Sequence, residues 1–317
     1  LLFLSLGIGI TALIALFDAR VDLTALFLSA LIIAVLGFIL FTSTTVGDTD
    51  QASIFSAVGA TWLVVSLLGT VPYLLAGTFD RAGIGAPEIF VDALFESVSG
   101  FSCTGSTVFG AHNLIELQGA GILFYRQLTQ WIGGMGIVVL VVSVLPSLRA
   151  SGLGLIDAEA PGAGVERIAP RVAETAKKFW YIYAFLTALV SVLLFASGMG
   201  LFDAISHAMT TASTGGFSTR DLSIGHWNSV SIEIVVMAGL LLGATNFTLH
   251  ARSIEKRRLD YGTDSEFKSF FMLLMSGITL VTLLLTLDGT SFSSALRVAS
   301  FNVITLGSSG GFGNATG

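Results

Sequence analysis

Seven uncharged, mostly apolar runs recur along the 317-residue chain, and they constrain its fold more than any other feature. Most are close to the roughly 20 residues that a helix needs to cross a bilayer. Only 11% of the residues are charged, against roughly 25% in a soluble domain. The sequence therefore excludes an ordinary soluble enzyme and predicts an all-α membrane protein. The predicted spans are residues 1–17, 23–41, 52–79, 127–148, 179–202, 234–251 and 269–287.

The ionisable and sulfur-containing residues exclude several classes of site. Cys103 is the single cysteine, so an internal disulfide and an all-cysteine metal site are excluded. Four scattered histidines make a zinc cage unexpected, and a net charge of −6 argues against a nucleic-acid partner. We expect no organic cofactor and no enzymatic activity.

Three further apolar segments are too short or too polar to cross a membrane alone. Each contains at least one ionisable residue and ends in a cluster of glycine and hydroxyl residues. Non-helical backbone persists at membrane depth only where it is buried in protein or lines a wet cavity. We therefore predict three half-helices followed by re-entrant loops, at residues 87–100, 201–213 and 292–306.

The basic residues predict the orientation of the chain in a plasma membrane. Two loops, 149–178 and 252–268, contain ten of the 15 Lys and Arg residues. Cytoplasmic loops are enriched in these residues, so the three re-entrant loops should face outside. Acidic residues would then surround the outer mouth, either as a cation-concentrating field or as a solvated rim: Asp80, Glu88, Asp92, Glu116, Asp203, Asp221, Glu233 and Asp288.

An internal repeat becomes visible when Gly105, Gly216 and Gly311 are set in register without gaps. Alanine stands twelve positions earlier in each copy, serine or threonine six earlier, and serine three earlier. The repeat predicts an N-terminal helix pair at 1–45, followed by pore repeats at 46–150, 151–262 and 263–317. The third repeat is incomplete and a fourth is absent, so we expect the chain to be a fragment.

The repeated loops suit the chemistry of an ion filter. A small cation crossing hydrocarbon needs its water shell replaced, and backbone carbonyls do this without net charge. Glycine permits the tight turns that expose them. One such loop alone would favour close helix packing, whereas three in register favour a filter. The candidate ligands are Cys103, Thr104 and Gly105, Thr214, Gly215 and Gly216, and Ser309, Gly310 and Gly311; Cys103 would contribute its carbonyl and not its sulfur.

Several motifs resemble the Trk/Ktr/HKT superfamily of potassium transporters, and most closely its TrkH-type subunits. The matching stretches are 92–105 (DALFESVSGFSCTG), 130–137 (QWIGGMGI), 174–183 (ETAKKFWYIY), 213–221 (STGGFSTRD) and 246–250 (NFTLH). The resemblance implies four span–pore-loop–span repeats around one pore with a glycine in each loop. Gly105, where some family members have serine and admit sodium, favours potassium as the transported ion.

The resemblance also implies partners that composition cannot reveal. These are a second copy of the subunit in a homodimer and a cytoplasmic TrkA-type ring of nucleotide-binding regulatory subunits, in addition to the lipid bilayer that the apolar runs already imply. The family's gating loop and a basic residue near the filter belong to the parts that this sequence does not include.

Two other functions remain open from the residues alone. An intramembrane serine protease could use Ser309 of the Gly307–Gly310 motif as nucleophile, with His207 or His250 as base. A secondary transporter of another small solute could also contain broken helices, but these usually repeat in inverted topology. The three loops here are predicted on one side, which favours a pore.

Single residues allow further expectations. Arg126 either anchors at the outer interface or pairs with a carboxylate such as Glu96. His207 should hydrogen-bond to its loop, and Arg297 should be paired or wet because a charge at that depth is costly. Asn246 either satisfies nearby backbone or contributes to gating. Helix packing accounts for three glycines in one span: Gly133, Gly134 and Gly136.

Overall fold

The structure is a computed structural model that describes residues 1–18, 22–44, 51–81, 83–110, 113–153 and 165–314. Within helices, the side chains of residues 51–55, 137–153 and 165–173 lie outside this description. The side chains of Arg149, Arg167 and Arg171, in the first predicted basic loop, are therefore outside the described residues.

Every regular secondary-structure element of the described residues is a helix and none is a strand, which confirms the predicted all-α class. Two short 3₁₀ turns, Ile115–Leu117 and Ser223–Trp227, lie in the connections after the first two half-helices. The helices are α1 (Leu2–Ala15), α2 (Leu23–Ser43), α3 (Gln51–Leu68), α4 (Val71–Leu75), α5 (Ala86–Phe101), α6 (Ala120–Leu153), α7 (Val165–Ala196), α8 (Leu201–Ala212), α9 (Val230–Ala244), α10 (Phe247–Lys256), α11 (Ser265–Leu287) and α12 (Phe292–Gly307).

Membrane-spanning helices are fewer in the described residues than the seven predicted. Four stretches are long and apolar enough to cross, and α9 with α10 would make a fifth. α1 has only 14 residues, short of the roughly 20 that a straight span needs. The predicted span 127–148 lies inside α6, where side chains beyond residue 136 are not described. The four stretches are Leu23–Ser43, Ser56–Leu75, Glu174–Ala196 and Ser265–Leu287.

The predicted span at 234–251 is broken into two helices, because the chain bends by 93° between α9 and α10. Asn246 is the N-cap of α10, and its side-chain oxygen accepts a hydrogen bond from the Thr248 amide at 3.0 Å. Such a cap starts a new helix by satisfying an otherwise unpaired amide. The expectation that Asn246 satisfies nearby backbone is therefore confirmed, at a break and not within a straight helix.

Two other predicted spans end earlier than their apolar runs do. The helix in the 52–79 run ends at Leu68, where Gly69 packs against Ser97 and Phe101 of α5. The helix in the 179–202 run ends at Ala196, before Gly198 with φ +99°. Apolar composition extends across both breaks, so hydropathy alone could not reveal them.

α5, α8 and α12 are the three predicted half-helices. Each ends just before one of the repeated glycine motifs. The alanines that the repeat aligns, Ala93, Ala204 and Ala299, are all fully buried. The half-helices therefore present equivalent small residues to the protein interior, where neighbouring helices approach closely.

Candidate functional site: three glycine loops

The segments 102–105, 213–216 and 308–311, here called glycine loops 1, 2 and 3, adopt the same backbone conformation. In each four-residue loop the second and the fourth residue have a positive, left-handed φ, whereas the third residue does not. The φ values are +54°, +52° and +60° at Cys103, Thr214 and Ser309, and +76°, +79° and +65° at Gly105, Gly216 and Gly311. Non-glycine residues rarely adopt this region, so three coincidences indicate one conserved turn geometry within the chain.

Equivalent hydrogen bonds connect each loop to the end of its half-helix. The amide of the second loop residue donates to the carbonyl three positions earlier, from Cys103 to Gly100, Thr214 to Thr211 and Ser309 to Leu306. The serine at the start of each loop donates its hydroxyl to the helix carbonyl three positions earlier, at 3.2–3.5 Å. These bonds satisfy carbonyls that a helix terminus leaves unpaired.

The three loops lie against one another in sequence order. A methyl group added at Gly105 would collide with the carbonyl oxygen of Gly215, and one added at Gly216 would collide with that of Gly310. Added at Gly311, it would meet no described atom within 4 Å. The structure thus brings the three predicted loops together, with loop 1 against loop 2 and loop 2 against loop 3.

A cavity of about 210 Å³ lies against the loops. Its wall includes the left-handed residue of every loop, Cys103, Thr214 and Ser309, together with the aromatic side chains of Tyr183 and Phe247. A residue from each repeat therefore contacts the same small space.

Two of the three half-helices, α5 and α8, end at this cavity. Ser102 and Ser213, the C-caps of α5 and α8, are among its lining residues. A helix C-terminus has a partial negative charge of roughly half an electron from its aligned peptide dipoles. The cavity is therefore favourable for a cation without requiring an ionised side chain.

Gln130 fixes glycine loop 2 and was not assigned a role from the sequence. Its side chain is fully buried, with Nε2 donating to the Gly215 carbonyl at 2.7 Å and Oε1 accepting from the Phe217 amide at 3.0 Å. The Cys103 thiol donates to the Gln130 carbonyl at 3.2 Å. One lone pair of the Gly215 carbonyl oxygen is thus engaged by the Gln130 side chain. A glutamine inside an apolar span is costly unless it is hydrogen-bonded. The position of Gln130 within the predicted span 127–148 was therefore the sequence feature that could have indicated a structural role.

Arg126 is buried and pairs with Glu96, so the alternative of an interfacial anchor is wrong. Both side chains are almost fully buried, at 1% and 0% exposure, and the Arg126 Nε contacts a Glu96 oxygen. Arg126 Nη1 also donates to the Ser218 carbonyl at 2.8 Å, just beyond loop 2. The Phe217 ring centroid lies 3.9 Å from the guanidinium carbon, in cation–π geometry.

Arginines neutralise much of the predicted acidic mouth. Arg220 contacts Asp203 at 2.7 Å, and Arg81 contacts Asp92 at 2.8 Å. Arg297 is paired, as expected, because its Nη2 lies 2.7 Å from a Glu233 oxygen. Asp92, Asp203 and Glu233 therefore act as partners of arginines, and their charges are not free to attract cations to the mouth.

The histidines proposed as protease bases are already engaged. His207 Nδ1 lies 2.8 Å from the Asp203 carbonyl and Nε2 lies 2.9 Å from the Ser218 hydroxyl, which confirms the expected bond to its loop. His250 contacts the Leu242 carbonyl at 2.9 Å and the Tyr261 hydroxyl at 2.8 Å. The Leu242 carbonyl can only accept, so Nε2 of the neutral imidazole has the proton and the Tyr261 hydroxyl donates to Nδ1. The structure therefore does not bring either imidazole to Ser309.

Helix packing accounts for two of the three glycines in α6. A methyl group at Gly133 would collide with the Phe101 carbonyl, and one at Gly134 would be 2.8 Å from the Ser213 side chain. At Gly136 it would make only ordinary contact, 3.7 Å from Trp62. Close approach of α6 to loops 1 and 2 thus requires Gly133 and Gly134 but not Gly136.

Comparisons with known proteins support the resemblance. A family model described as "TrkH: Cation transport protein" matches residues 24–306. The Trk system potassium uptake protein TrkH of Halomonas elongata is 42% identical over 255 residues, covering 79% of this chain and 51% of that protein. TrkH of Escherichia coli K12 is 37% identical over 273 residues, with coverages of 84% and 54%.

A solved structure is also similar. The crystal structure of the potassium transporter TrkH from Vibrio parahaemolyticus matches with a TM-score of 0.85 and 31% identity, over 99% of this chain and 63% of that one. The chain spans about half the length of the curated relatives it matches.

Proposed function

Because this chain belongs to the TrkH family of cation transport proteins, we propose that it forms part of the ion pathway of a potassium uptake protein. The relatives are named as potassium uptake proteins. In this proposal, the backbone carbonyls of the three glycine loops replace the water shell of the ion. The ligands would be the peptide oxygens of Cys103, Thr104 and Gly105 and of their counterparts in loops 2 and 3, with potassium as the transported ion.

The observation that supports this function best is the repeated contact between equivalent loops. The glycine of loop 1 lies against the carbonyl of Gly215, and the glycine of loop 2 lies against that of Gly310. Identical turns arranged side by side offer their peptide oxygens to a common region. A single left-handed residue is a common helix terminus, but packing does not require a second one two positions later in all three loops, at Gly105, Gly216 and Gly311.

Electrostatics also favour a cation at this place. Two half-helix C-termini and a residue from each loop border the cavity of about 210 Å³. Neutral dipoles can bind an ion strongly enough for entry and weakly enough for release. A transport site differs in this respect from a tight metal cage. The described residues contain no group of three or more His, Cys, Asp or Glu suited to a metal ion.

We propose that the glycine loops face the outside of the plasma membrane and the basic segments face the cytoplasm. Lys178 and Glu255 form an ion pair of 2.6 Å, so parts of both basic loops lie at one end of the molecule. We also propose that the pore repeats start at residues 46, 151 and 263, as the internal repeat predicts. A homodimer and a cytoplasmic TrkA-type regulatory subunit complete the proposal.

The test is ion uptake by the complete protein in cells that lack other potassium uptake systems. We expect the wild-type protein to take up potassium, and Gly105→Ser to admit more sodium, because a side chain there displaces the neighbouring Gly215 carbonyl. Ser309→Ala should retain uptake, since only the Ser309 carbonyl is used, whereas a serine protease would be inactivated. Unchanged selectivity in Gly105→Ser would contradict the filter assignment.

A further inference from the structure

One position in every half-helix bonds to the chain just after its glycine loop. Nine residues before Gly105, Gly216 and Gly311 stand Glu96, His207 and Asn302. Each contacts a side chain two or three residues after the glycine, and we call these three bonds the latches. They are Glu96–Thr107 at 2.9–3.0 Å, His207–Ser218 at 2.9 Å and Asn302–Asn314 at 3.1 Å.

The first two latches share a further detail. The Thr107 hydroxyl accepts a hydrogen bond from the Phe109 amide at 3.2 Å, and the Ser218 hydroxyl accepts one from the Arg220 amide at 3.0 Å. Each hydroxyl therefore sits in a local turn that closes two residues later. The latch holds this turn against the half-helix, which fixes both ends of the intervening glycine loop.

In repeat 1 the latch is ionic and extends to the next loop. Glu96 accepts hydrogen bonds from the Thr107 hydroxyl and the Val108 amide, and its charge is paired with Arg126. Arg126 in turn donates to the Ser218 carbonyl at 2.8 Å. The first latch therefore joins loop 1 to loop 2.

In repeat 2 the hydrogen-bond directions follow from the neighbours. The Asp203 carbonyl only accepts, so Nδ1 of His207 has the proton and Nε2 is an acceptor. The Ser218 hydroxyl consequently donates to Nε2. The Ser218 carbonyl also accepts a hydrogen bond from Arg126, so Ser218 joins the first and second latches.

In repeat 3 the latch is an amide pair. Asn302 Nδ2 donates to the Asn314 side-chain oxygen at 3.1 Å and to the Val298 carbonyl at 2.9 Å. The adjacent Gly313 amide donates to the Ser223 hydroxyl at 3.2 Å, and its carbonyl accepts from the Gly225 amide at 3.0 Å. Loop 3 is therefore attached to the segment that follows loop 2.

We propose that Glu96, His207 and Asn302 are positioning residues. They hold the segment that follows each glycine loop and thereby set the ion selectivity of the filter. This inference rests on the proposed function. Glu96, His207 and Asn302 are not among the residues that line the cavity at the loops, so they would act through the positions of the peptide oxygens. Peptide oxygens discriminate ions by their number and spacing. Loss of a latch bond would free the segment after the loop and let the spacing of the peptide oxygens change.

The test compares latch variants with a matched hydroxyl deletion in the complete protein. Ser218→Ala removes the hydroxyl that bonds His207, and His207→Asn retains an atom near Nδ1 but removes the one at Nε2. His207→Gln restores an amide atom near the Nε2 position. The control is Ser97→Ala, which removes an equally buried hydrogen bond of the half-helix α5, from Ser97 to the Ser66 carbonyl of α3 at 2.7 Å, that does not involve the segment after a glycine loop.

Potassium and sodium uptake are measured on purified protein in lipid vesicles, together with thermal unfolding. We expect Ser218→Ala and His207→Asn each to lower the potassium-to-sodium ratio by about fivefold, as for loss of one buried hydrogen bond of about 1 kcal/mol. The double variant should lose no more than Ser218→Ala alone, because both changes remove the His207–Ser218 bond and only Ser218→Ala also removes the acceptor of the Arg220 amide. His207→Gln should recover most of the ratio.

Two results would overturn the inference. The first is lower thermal stability in the latch variants with a wild-type ratio, which would make the latch merely structural. The second is an equal fall of the ratio in Ser97→Ala. If the wild-type vesicles take up no potassium, the proposed function itself fails, and the inference that rests on it fails as well.

Discussion

Gly216→Ala should abolish most potassium uptake, because this glycine contacts the neighbouring loop where a side chain cannot fit. Its φ of +79° is left-handed, and an added methyl group would collide with the backbone carbonyl of Gly310. Two separate costs follow, a conformational one within loop 2 and a steric one between loops 2 and 3. A control variant can distinguish them.

The conformational cost is roughly 1–2 kcal/mol for a left-handed non-glycine residue. The steric cost cannot be relieved by rotating a side chain, because the obstacle is backbone. Loops 2 and 3 must separate by roughly 1.5 Å before the added carbon and the Gly310 oxygen reach a close contact of about 3.3 Å. A misplacement of about 1 Å at a site of fixed geometry costs about 100-fold, and we expect a loss of potassium uptake of that size.

Gly198→Ala is the matched control. Gly198 has a φ of +99° and no described atom within 4 Å of an added methyl group, so it shares only the conformational cost. Thermal unfolding of the purified complete protein should show the conformational cost of roughly 1–2 kcal/mol in Gly198→Ala and a larger destabilisation in Gly216→Ala, which also has the steric cost. Uptake should fall only in Gly216→Ala. Wild-type uptake in Gly216→Ala, or an equal loss in Gly198→Ala, would refute the role assigned to contact between the loops.

Three other predictions concern the residues around the loops. Arg126→Met should lower the free energy of unfolding by about 3–5 kcal/mol because it leaves the Glu96 charge buried without its partner; thermal unfolding should show partial recovery when Glu96→Gln is added. Gln130→Leu should reduce potassium uptake more than it reduces stability, since it removes both side-chain bonds to loop 2; equal uptake per folded molecule would contradict this. Asn246→Ala should cost about 1 kcal/mol through loss of the α10 cap, and a melting temperature identical to that of wild type would exclude a stabilising cap.

The fold class and the half-helices could be predicted from the sequence because they depend on local patterns. Long uncharged runs specify helices in a membrane, and the register of Gly105, Gly216 and Gly311 specifies equivalent loops. The positions of the breaks could not be predicted in the same way. The bend at Asn246 lies inside a run that is apolar on both sides, and it depends on a side-chain cap that competes with helix continuation.

The side chains that support the loops were only partly predictable. Arg126 and Glu96 were expected as one of two alternatives, since a charge in an apolar environment requires a partner. Gln130 received no role, because its bonds to loop 2 join residues 85 and 87 positions apart in the chain. Such contacts are determined by how α6 packs against the loops, and no local pattern encodes that packing.

The latches and the loops differ in how strictly the repeat is kept, and the proposed chemistry explains the difference. A peptide oxygen is chemically the same in every residue, so a filter built from it requires only that the turn geometry recur, as it does at Cys103, Thr214 and Ser309. The supporting side chains need only hold that turn. A carboxylate, an imidazole and an amide therefore serve at Glu96, His207 and Asn302. For the same reason, a search for clustered carboxylates would miss this site, whereas the spacing of glycines in the sequence reveals it.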